Sequence, residues 1–247
     1  MNHTRTASLV CAACLACPAI AQPVDLDFDV IASIQDNNLS GTPDLVTPGG
    51  TLIRARASRD EDRAIVEFDI SQFTGMTVVS ARFVGRVHVN NAFDTGVRSF
   101  NFNIYAGNGT AELQDYNENT NTIGTGSYHP PADLSFDFDF DVAAELQTIL
   151  NGGSDWAGFN VDAIETNNFP NVLNSDQTVT SLIVEVQSNE PCLPDVNGDG
   201  MVTPTDFTAW INAFNNNLPE CDQNGDGACT PTDFTAWIAN FNAGCPG

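Results

Sequence analysis

Two copies of one twelve-residue pattern constrain this chain more than any other feature. Asp195-Val196-Asn197-Gly198-Asp199-Gly200 runs on to Asp206, and Asp222-Gln223-Asn224-Gly225-Asp226-Gly227 runs on to Asp233, so each copy reads D-x-N-x-D-G-x-x-x-x-x-D. A hard cation such as Ca²⁺ takes roughly six to eight oxygen ligands. This spacing offers side-chain oxygens at positions 1, 3 and 5, a main-chain carbonyl at 7 and a carboxylate at 12. Gly200 and Gly227 occupy position 6, where the chain has to turn sharply about the ion. Two solvated Asp/Asn turns would account for neither the paired glycines nor the closing carboxylates.

Each loop runs directly into a helix start. Thr203-Pro204-Thr205-Asp206 puts threonine at the N-cap, proline at N1 where its missing N–H costs nothing, and an acid at N3. Phe207, Trp210, Ile211 and Phe214 then fall at i, i+3, i+4 and i+7, as do Phe234, Trp237, Ile238 and Phe241 in the second copy. The tail therefore reads as two loop–helix units, each burying an aromatic face on the other, with Trp210 and Trp237 in the core. A tandem loop–helix of this kind resembles a dockerin, a unit that lacks the entering helix of an EF-hand and docks onto a cohesin module. The resemblance implies two Ca²⁺ sites: Asp195, Asn197, Asp199 and Asp206 in one, and Asp222, Asn224, Asp226 and Asp233 in the other. Met201 and Ala228 would give carbonyls, and Thr203 and Thr230 would act directly or through water. It departs from the cellulosomal pattern at positions 10 and 11, which hold Pro204-Thr205 and Pro231-Thr232, and in a tail without Lys or Arg. The cysteine-bracketed form is closer to planctomycete-type secreted proteins, so the partner is read as a cohesin-like or other anchoring module.

The amino terminus points to export. Arg5 precedes an apolar run from Leu9 to Ile20, and Ala19-Ile20-Ala21 is an A-x-A cleavage signal, giving a signal peptide over 1–21 and a mature start at Gln22. The run is too short to stay as a membrane span, and Cys14-Leu15-Ala16 before Cys17 makes a poor lipidation signal. Beyond the leader remain Cys192, Cys221, Cys229 and Cys245, all in the tail, an even number that argues for disulfides in an exported domain. Three pairings are open. The favoured one joins Cys192 to Cys245, clasping the domain ends, and Cys221 to Cys229 across the second loop. A domain this small has a small core, and calcium and disulfides would supply stability it lacks. The formal net charge is −24, and none of the basic residues is lysine. Nucleic-acid binding, which needs a basic patch, is excluded, and anionic membranes are disfavoured.

Between the leader and the tail the period changes to two. Leu26, Phe28 and Val30 alternate with Asp25, Asp27 and Asp29, and Phe136, Phe138 and Phe140 alternate with Asp137, Asp139 and Asp141. Further strand candidates are Leu52–Ala57, Ala64–Ile70, Thr77–Asn90, Ser99–Tyr105, Trp156–Val161 and Val179–Gln187, with one helix over Val142–Leu150 ending at Asn151-Gly152. The expected fold class is mostly β: an antiparallel, jelly-roll-like β-sandwich over 22–188, a linker over 189–194, and a small α-helical tandem calcium-loop domain over 195–247. Arg63-Ala64-Ile65-Val66-Glu67-Phe68-Asp69-Ile70 followed by Val78-Val79-Ser80-Ala81-Arg82-Phe83 resembles the core of DNRLRE-type carbohydrate-binding sandwiches. Phe140-Asp141-Val142-Ala143-Ala144-Glu145-Leu146 with Trp156-Ala157-Gly158-Phe159 resembles a later segment of that family. The DNRLR string itself is absent. The resemblance implies a sandwich and polysaccharide as a ligand.

Tyr116, Tyr128 and His129, in a long polar connection over Gly107–Asp133, and Trp156 are the candidate ligand-binding residues. All arginines beyond the leader fall between Arg54 and Arg98. Arg54 and Arg56 share one strand face and are expected either to meet the Asp ladders in surface ion pairs or to form a patch for an acidic glycan. The Asp ladders are also candidates for a further structural Ca²⁺. His88 is expected on an outer face, and no nucleophile elbow, HExxH or His/Cys zinc cluster occurs. The chain thus reads as a secreted, non-catalytic protein with a carbohydrate-binding sandwich and a calcium-dependent anchor. The alternatives are a structural matrix or surface protein that binds no glycan, and a polysaccharide-degrading enzyme of unrecognised type.

Overall fold

The computed structural model describes residues 22–56, 59–89, 96–118, 121–164, 171–173, 180–189 and 191–245. The expected leader, including its cleavage signal and three cysteines, lies outside the described residues. Two compact units emerge, one spanning Gln22–Val186 and the other containing Gln187–Gly247.

Among the described residues the first unit holds twelve strands and one α-helix. In chain order they are β1 (Val24–Leu26), β2 (Val30–Asp36), β3 (Leu45–Pro48), β4 (Leu52–Arg56), β5 (Asp60–Asp69) and β6 (Thr77–Val89). Then come β7 (Arg98–Ala106), β8 (Thr122–Tyr128), β9 (Ser135–Asp141), α1 (Ala143–Asn151), β10 (Trp156–Ala163), β11 (Asn171–Leu173) and β12 (Ser181–Gln187). One layer is built on the central pair β5 and β10, with β2 and β3 on one side and β7 and β8 on the other. The other is built on β6, flanked by β12, β9 and β11, with β1 on β12. Strand β4 joins them, pairing Arg54 with Asp62 of β5 and Leu52 with Val172 of β11. The mostly β, antiparallel architecture matches the expectation.

Aromatic rings fill the space between the layers. Phe83 of β6 stacks on Phe159 of β10 at 3.9 Å, Phe68 meets Phe159 edge-on at 5.7 Å, and Phe102 lies 4.7 Å from Phe138 and 4.9 Å from Phe140. Each fully buried ring stabilises the fold by about 1.5–3 kcal/mol. The alternation of β9 turns Phe138 inward as a buried ring and Phe136 and Phe140 as half-buried ones, while Asp137, Asp139 and Asp141 stay exposed. On that outer surface Arg82 pairs with Asp139 and Arg86 with Asp137.

Several expectations need correction. The alternating run Asp25–Val30 is not one strand. It breaks after Leu26, because β1 pairs with β12 in one layer and β2 with β5 in the other. The Gly107–Asp133 connection is not structureless: a 3₁₀ turn spans Leu113–Asn117 and β8 follows. Strand β8, which was not among the strand candidates, carries Gly124 and Gly126. Their purpose is steric, since the Phe140 and Phe136 rings occupy the space where their Cβ atoms would stand. The helix begins and ends one residue later than expected, with Asp141 Oδ1 accepting from the Ala143 amide at 3.1 Å.

The second unit carries α2 (Pro204–Asn216) and α3 (Pro231–Ala243), joined through a 3₁₀ turn at Pro219–Cys221. Both helices start as their sequences predict, with Thr203 and Thr230 at the N-cap, proline at N1 and reciprocal bonding to Asp206 and Asp233. Phe207 lies 5.2 Å from Trp237, and Trp210 5.5 Å from Phe234. Trp210 and Trp237 are buried, whereas Ile211 and Ile238, expected on the buried stripe, are 40% and 42% exposed. Of the three open pairings the favoured one forms: Cys192–Cys245 and Cys221–Cys229, with Cα separations of 4.8 and 5.6 Å. Among the described residues, no helix is long and apolar enough to cross a membrane.

Candidate functional site

In both tail loops the acidic side chains are held by the loop's own amides before any ligand is considered. Asp195 accepts from the amides of Asp199 (3.1 Å) and Gly200 (2.8 Å), and Asp222 from those of Asp226 (3.1 Å) and Gly227 (2.8 Å). The amide oxygens of Asn197 and Asn224 accept from the same Asp199 and Asp226 amides at 2.8 and 2.9 Å. Their NH₂ groups donate outward to the Asp199 and Asp226 carboxylates at 3.0 and 3.1 Å. An aspartate at position 3 would face that neighbouring carboxylate with like charge; asparagine supplies an oxygen without the repulsion. The tight path needs left-handed backbone at two positions, not one: Gly198 and Gly225 have φ of 70° and 72°, Gly200 and Gly227 of 81° and 84°. The glycines at position 4 carried this signal in the sequence beside those at position 6.

Asp206 and Asp233 each do two jobs. Asp206 Oδ1 accepts from the Asn197 amide at 3.2 Å, inside the loop, and Oδ2 from the Thr203 amide at 2.8 Å, at the helix N-cap. Asp233 repeats this with Asn224 (3.2 Å) and Thr230 (2.8 Å), and adds the Gln223 amide at 3.0 Å. Both carboxylates are fully buried. Burial alone would raise the Asp233 carboxyl, but the hydrogen bonds from Thr230, Asn224 and Gln223 outweigh it and hold the group below the ordinary carboxylate range. One side chain therefore closes the loop and starts the helix.

The donor set suits a hard cation. Each loop brings three carboxylates, one amide oxygen, a threonine hydroxyl and the main-chain carbonyl of Met201 or Ala228, with no nitrogen or sulfur among them. Among the described residues no three His, Cys, Asp or Glu side chains already converge as a metal cluster. A calcium loop does not require that, because half of its donors are of other kinds and its carboxylates repel until an ion neutralises them.

The sandwich candidates are not brought together. Tyr116 and Tyr128 are core residues, 2% and 5% exposed. Tyr116 lies under the Arg63 guanidinium at 4.1 Å, and Tyr128 stacks on Phe100 at 5.7 Å. Trp156 is half-buried with its ring against Gly109, and His129 is exposed. Trp156 neighbours the Ala106 end of β7 while Tyr128 pairs with Arg98 at the other, so they form no shared platform. Arg54 bonds Asp60 (3.4 Å) and Asp62 (2.5 Å) rather than the Asp ladders; the Arg56 side chain lies outside the described residues. Ladder residues Asp137 and Asp139 are paired with Arg86 and Arg82.

Sequence reasoning passed over a buried polar seam. Glu67, fully buried, accepts from the Tyr105 hydroxyl (2.9 Å) and the amides of Asn108 (3.2 Å) and Gly109 (2.7 Å), tying the 107–109 segment to the sheet. Burial, then the Glu67 charge, pushes the Tyr105 phenol far above its ordinary value. Burial pushes the Asp115 carboxyl up to about 6, with the Glu112 amide opposing and Glu67, Glu112 and Glu118 adding to the rise. The seam orders a loop.

No curated protein matches the chain. The dockerin type I domain does match, over residues 193–242. Members of that family bind calcium and cohesin modules, so the loops described above are the part of this chain that is similar to a dockerin, in a segment closed by the Cys192–Cys245 disulfide.

Proposed function

We propose that the chain is an exported, non-catalytic protein whose tail takes two Ca²⁺ ions and docks onto a cohesin-like or other anchoring module, while the β-sandwich binds a polysaccharide. The observation that carries the anchoring half is the double duty of Asp206 and Asp233. An ion drawing on either carboxylate fixes the side chain that also caps α2 or α3, so occupancy and helix placement are linked. Bound Ca²⁺ would offset two of the three negative charges of each loop. Asp195, Asn197 and Asp199, with Asp222, Asn224 and Asp226, would present the remaining side-chain oxygens, Met201 and Ala228 carbonyls, and Thr203 and Thr230 the position-9 contact.

The two copies expose equivalent strips, Thr205, Thr208 and Ile211 on α2 and Thr232, Thr235 and Ile238 on α3. An exposed isoleucine ringed by hydroxyls suits a protein partner, and either strip can serve, giving two docking orientations. Capture of a partner by the full chain tests this: it should be lost in chelator, survive Ile211→Asp or Ile238→Asp alone, and fail in the double variant. Retention in chelator would overturn it.

The glycan half is supported by the resemblance of the β5, β6 and β10 segments to carbohydrate-binding sandwiches. The burial of Tyr116 and Tyr128 favours the second reading, a structural surface or matrix protein without a glycan ligand. A glycan array separates them, since binding that falls in Trp156→Ala supports the first and a blank array the second. Release of reducing sugar from any polysaccharide on that array would instead make it an enzyme.

A further inference from the structure

The two tail loops are near copies in sequence, yet they are not held alike. A disulfide spans the second: Cys221 stands just before position 1 and Cys229 at position 8, and the two are bonded with Cα atoms 5.6 Å apart. The corresponding residues of the first loop are Pro194 and Val202. Cys229 also precedes Thr230, the N-cap of α3, and Cys245 follows Gly244, its C-cap, and bonds Cys192. Helix α3 is therefore covalently tied at both ends. The first loop and α2 lie in the stretch between Cys192 and Cys221, which contains no other cysteine.

A polar clasp draws the same distinction without any cysteine. Gln223, at position 2 of the second loop, is buried. Its Nε2 donates to the Leu193 and Glu220 carbonyls at 2.8 and 3.1 Å. Asn240 Nδ2 of α3 in turn donates to the Gln223 Oε1 and main-chain oxygen at 3.1 Å each. In the first copy those two positions hold Val196 and Ala213, whose side chains can make none of these bonds. The carboxylates differ in the same sense. Asp222 accepts a third amide, from Gly225 at 2.9 Å, whereas the Gly198 amide goes to the Asp195 main-chain oxygen at 3.3 Å. Asp233 accepts the Gln223 amide in addition to the counterparts of the two amides bonded to Asp206.

We propose that the second loop is the leading Ca²⁺ site and the first the trailing one, and that α2 is the helix calcium sets last. An ion entering the second loop meets donors already ordered by the disulfide and the Gln223–Asn240 clasp. An ion entering the first must order its own loop and the start of α2, and that lost conformational freedom weakens binding. Helix α2 leans on the locked half through Trp210, whose Nε1 donates to the Cys221 carbonyl at 3.2 Å, so it is the first turn, at Asp206, that awaits the ion. The inference rests on the reading of the tail as a calcium-dependent anchor, and it separates the two docking strips. At calcium levels between the two affinities the Thr232, Thr235 and Ile238 strip of α3 is set, and its counterpart on α2 is not.

The test is Ca²⁺ titration of the full-length, oxidised chain, with the Gly200 and Gly227 amides followed by NMR. Each amide is hydrogen-bonded to the position-1 aspartate of its own loop and so reports that loop. Gly227 should move first, and Gly200 in a separate step at roughly tenfold higher Ca²⁺ or more. Cys221→Ser with Cys229→Ser should shift the Gly227 step towards that of Gly200. Should that variant fail to fold in chelator, Gln223→Val with Asn240→Ala gives the second copy the residues of the first, keeps both disulfides, and should narrow the gap by itself. Two ions binding in one step, or Gly200 moving first, would overturn the proposal and leave the tail's calcium reading standing. A gap that neither variant narrows would do the same. Absence of binding would overturn both.

Discussion

The two units solve the problem of stability in different ways. The sandwich buries Phe68, Phe83, Phe100, Phe102 and Phe159 completely, a core large enough to hold the layers by apolar burial alone. The tail buries two tryptophans and little else of size, leaves Phe234 and both isoleucines of its stripe about two-fifths exposed, and is closed by two disulfides. Its remaining order lies in loops of like charge that an ion would neutralise. Oxygen donors and cysteines replace the core that so short a segment cannot build. The comparison teaches that the two units draw their stability from different sources, and that a unit whose order depended on a bound ion would couple that ion to whatever its helices contact.

The largest effect should come from the aromatic core. Phe159→Ala removes the ring stacked on Phe83 and should cost the sandwich about 3–5 kcal/mol, while the calcium titration of the tail stays unchanged. Denaturant melts read by sandwich and tail probes check this, and a coupled loss would break the separation. Next, Cys192→Ser with Cys245→Ser should weaken the tail by about 2–5 kcal/mol and leave the sandwich melt alone. Proteolysis confined to the tail is the expected readout.

Smaller still is a pH effect in the sandwich. The Asp115 carboxyl is raised from 3.8 to about 6 in the fold, so its contribution is fully present below the unfolded value and is lost as pH rises through about 6. Asp115→Asn keeps an acceptor for the Glu112 amide and should remove this loss, stabilising the sandwich by about 2 kcal/mol at neutral pH relative to pH 4. The comparison is the difference between variant and parent melts across that range. A difference that does not change with pH would show that Asp115 does not titrate as its burial implies.

How far the sequence could be read follows the range of the forces involved. The tail loops were legible because their donors and glycines are local, and so were the threonine–proline helix starts. The β9 ladder was legible from its alternation. Strand β8 was not, because its glycines make sense only once Phe136 and Phe140 arrive from the opposite layer. Ile211 and Ile238 have the right spacing for burial, yet a pair of short helices can cover only part of each stripe. Tyr116 and Tyr128 looked available in a polar connection, and tertiary packing buried them.

The central claim is that calcium at Asp206 and Asp233 sets both tail helices. Its most direct test is hydrogen exchange of the full-length chain, disulfides intact, with and without Ca²⁺. The account predicts strong added protection at the amides of Asn197, Thr203, Asn224 and Thr230 and through α2 and α3, with β5 and β10 unchanged. Equal protection of the tail in both conditions would contradict it and leave the disulfides alone to hold the domain.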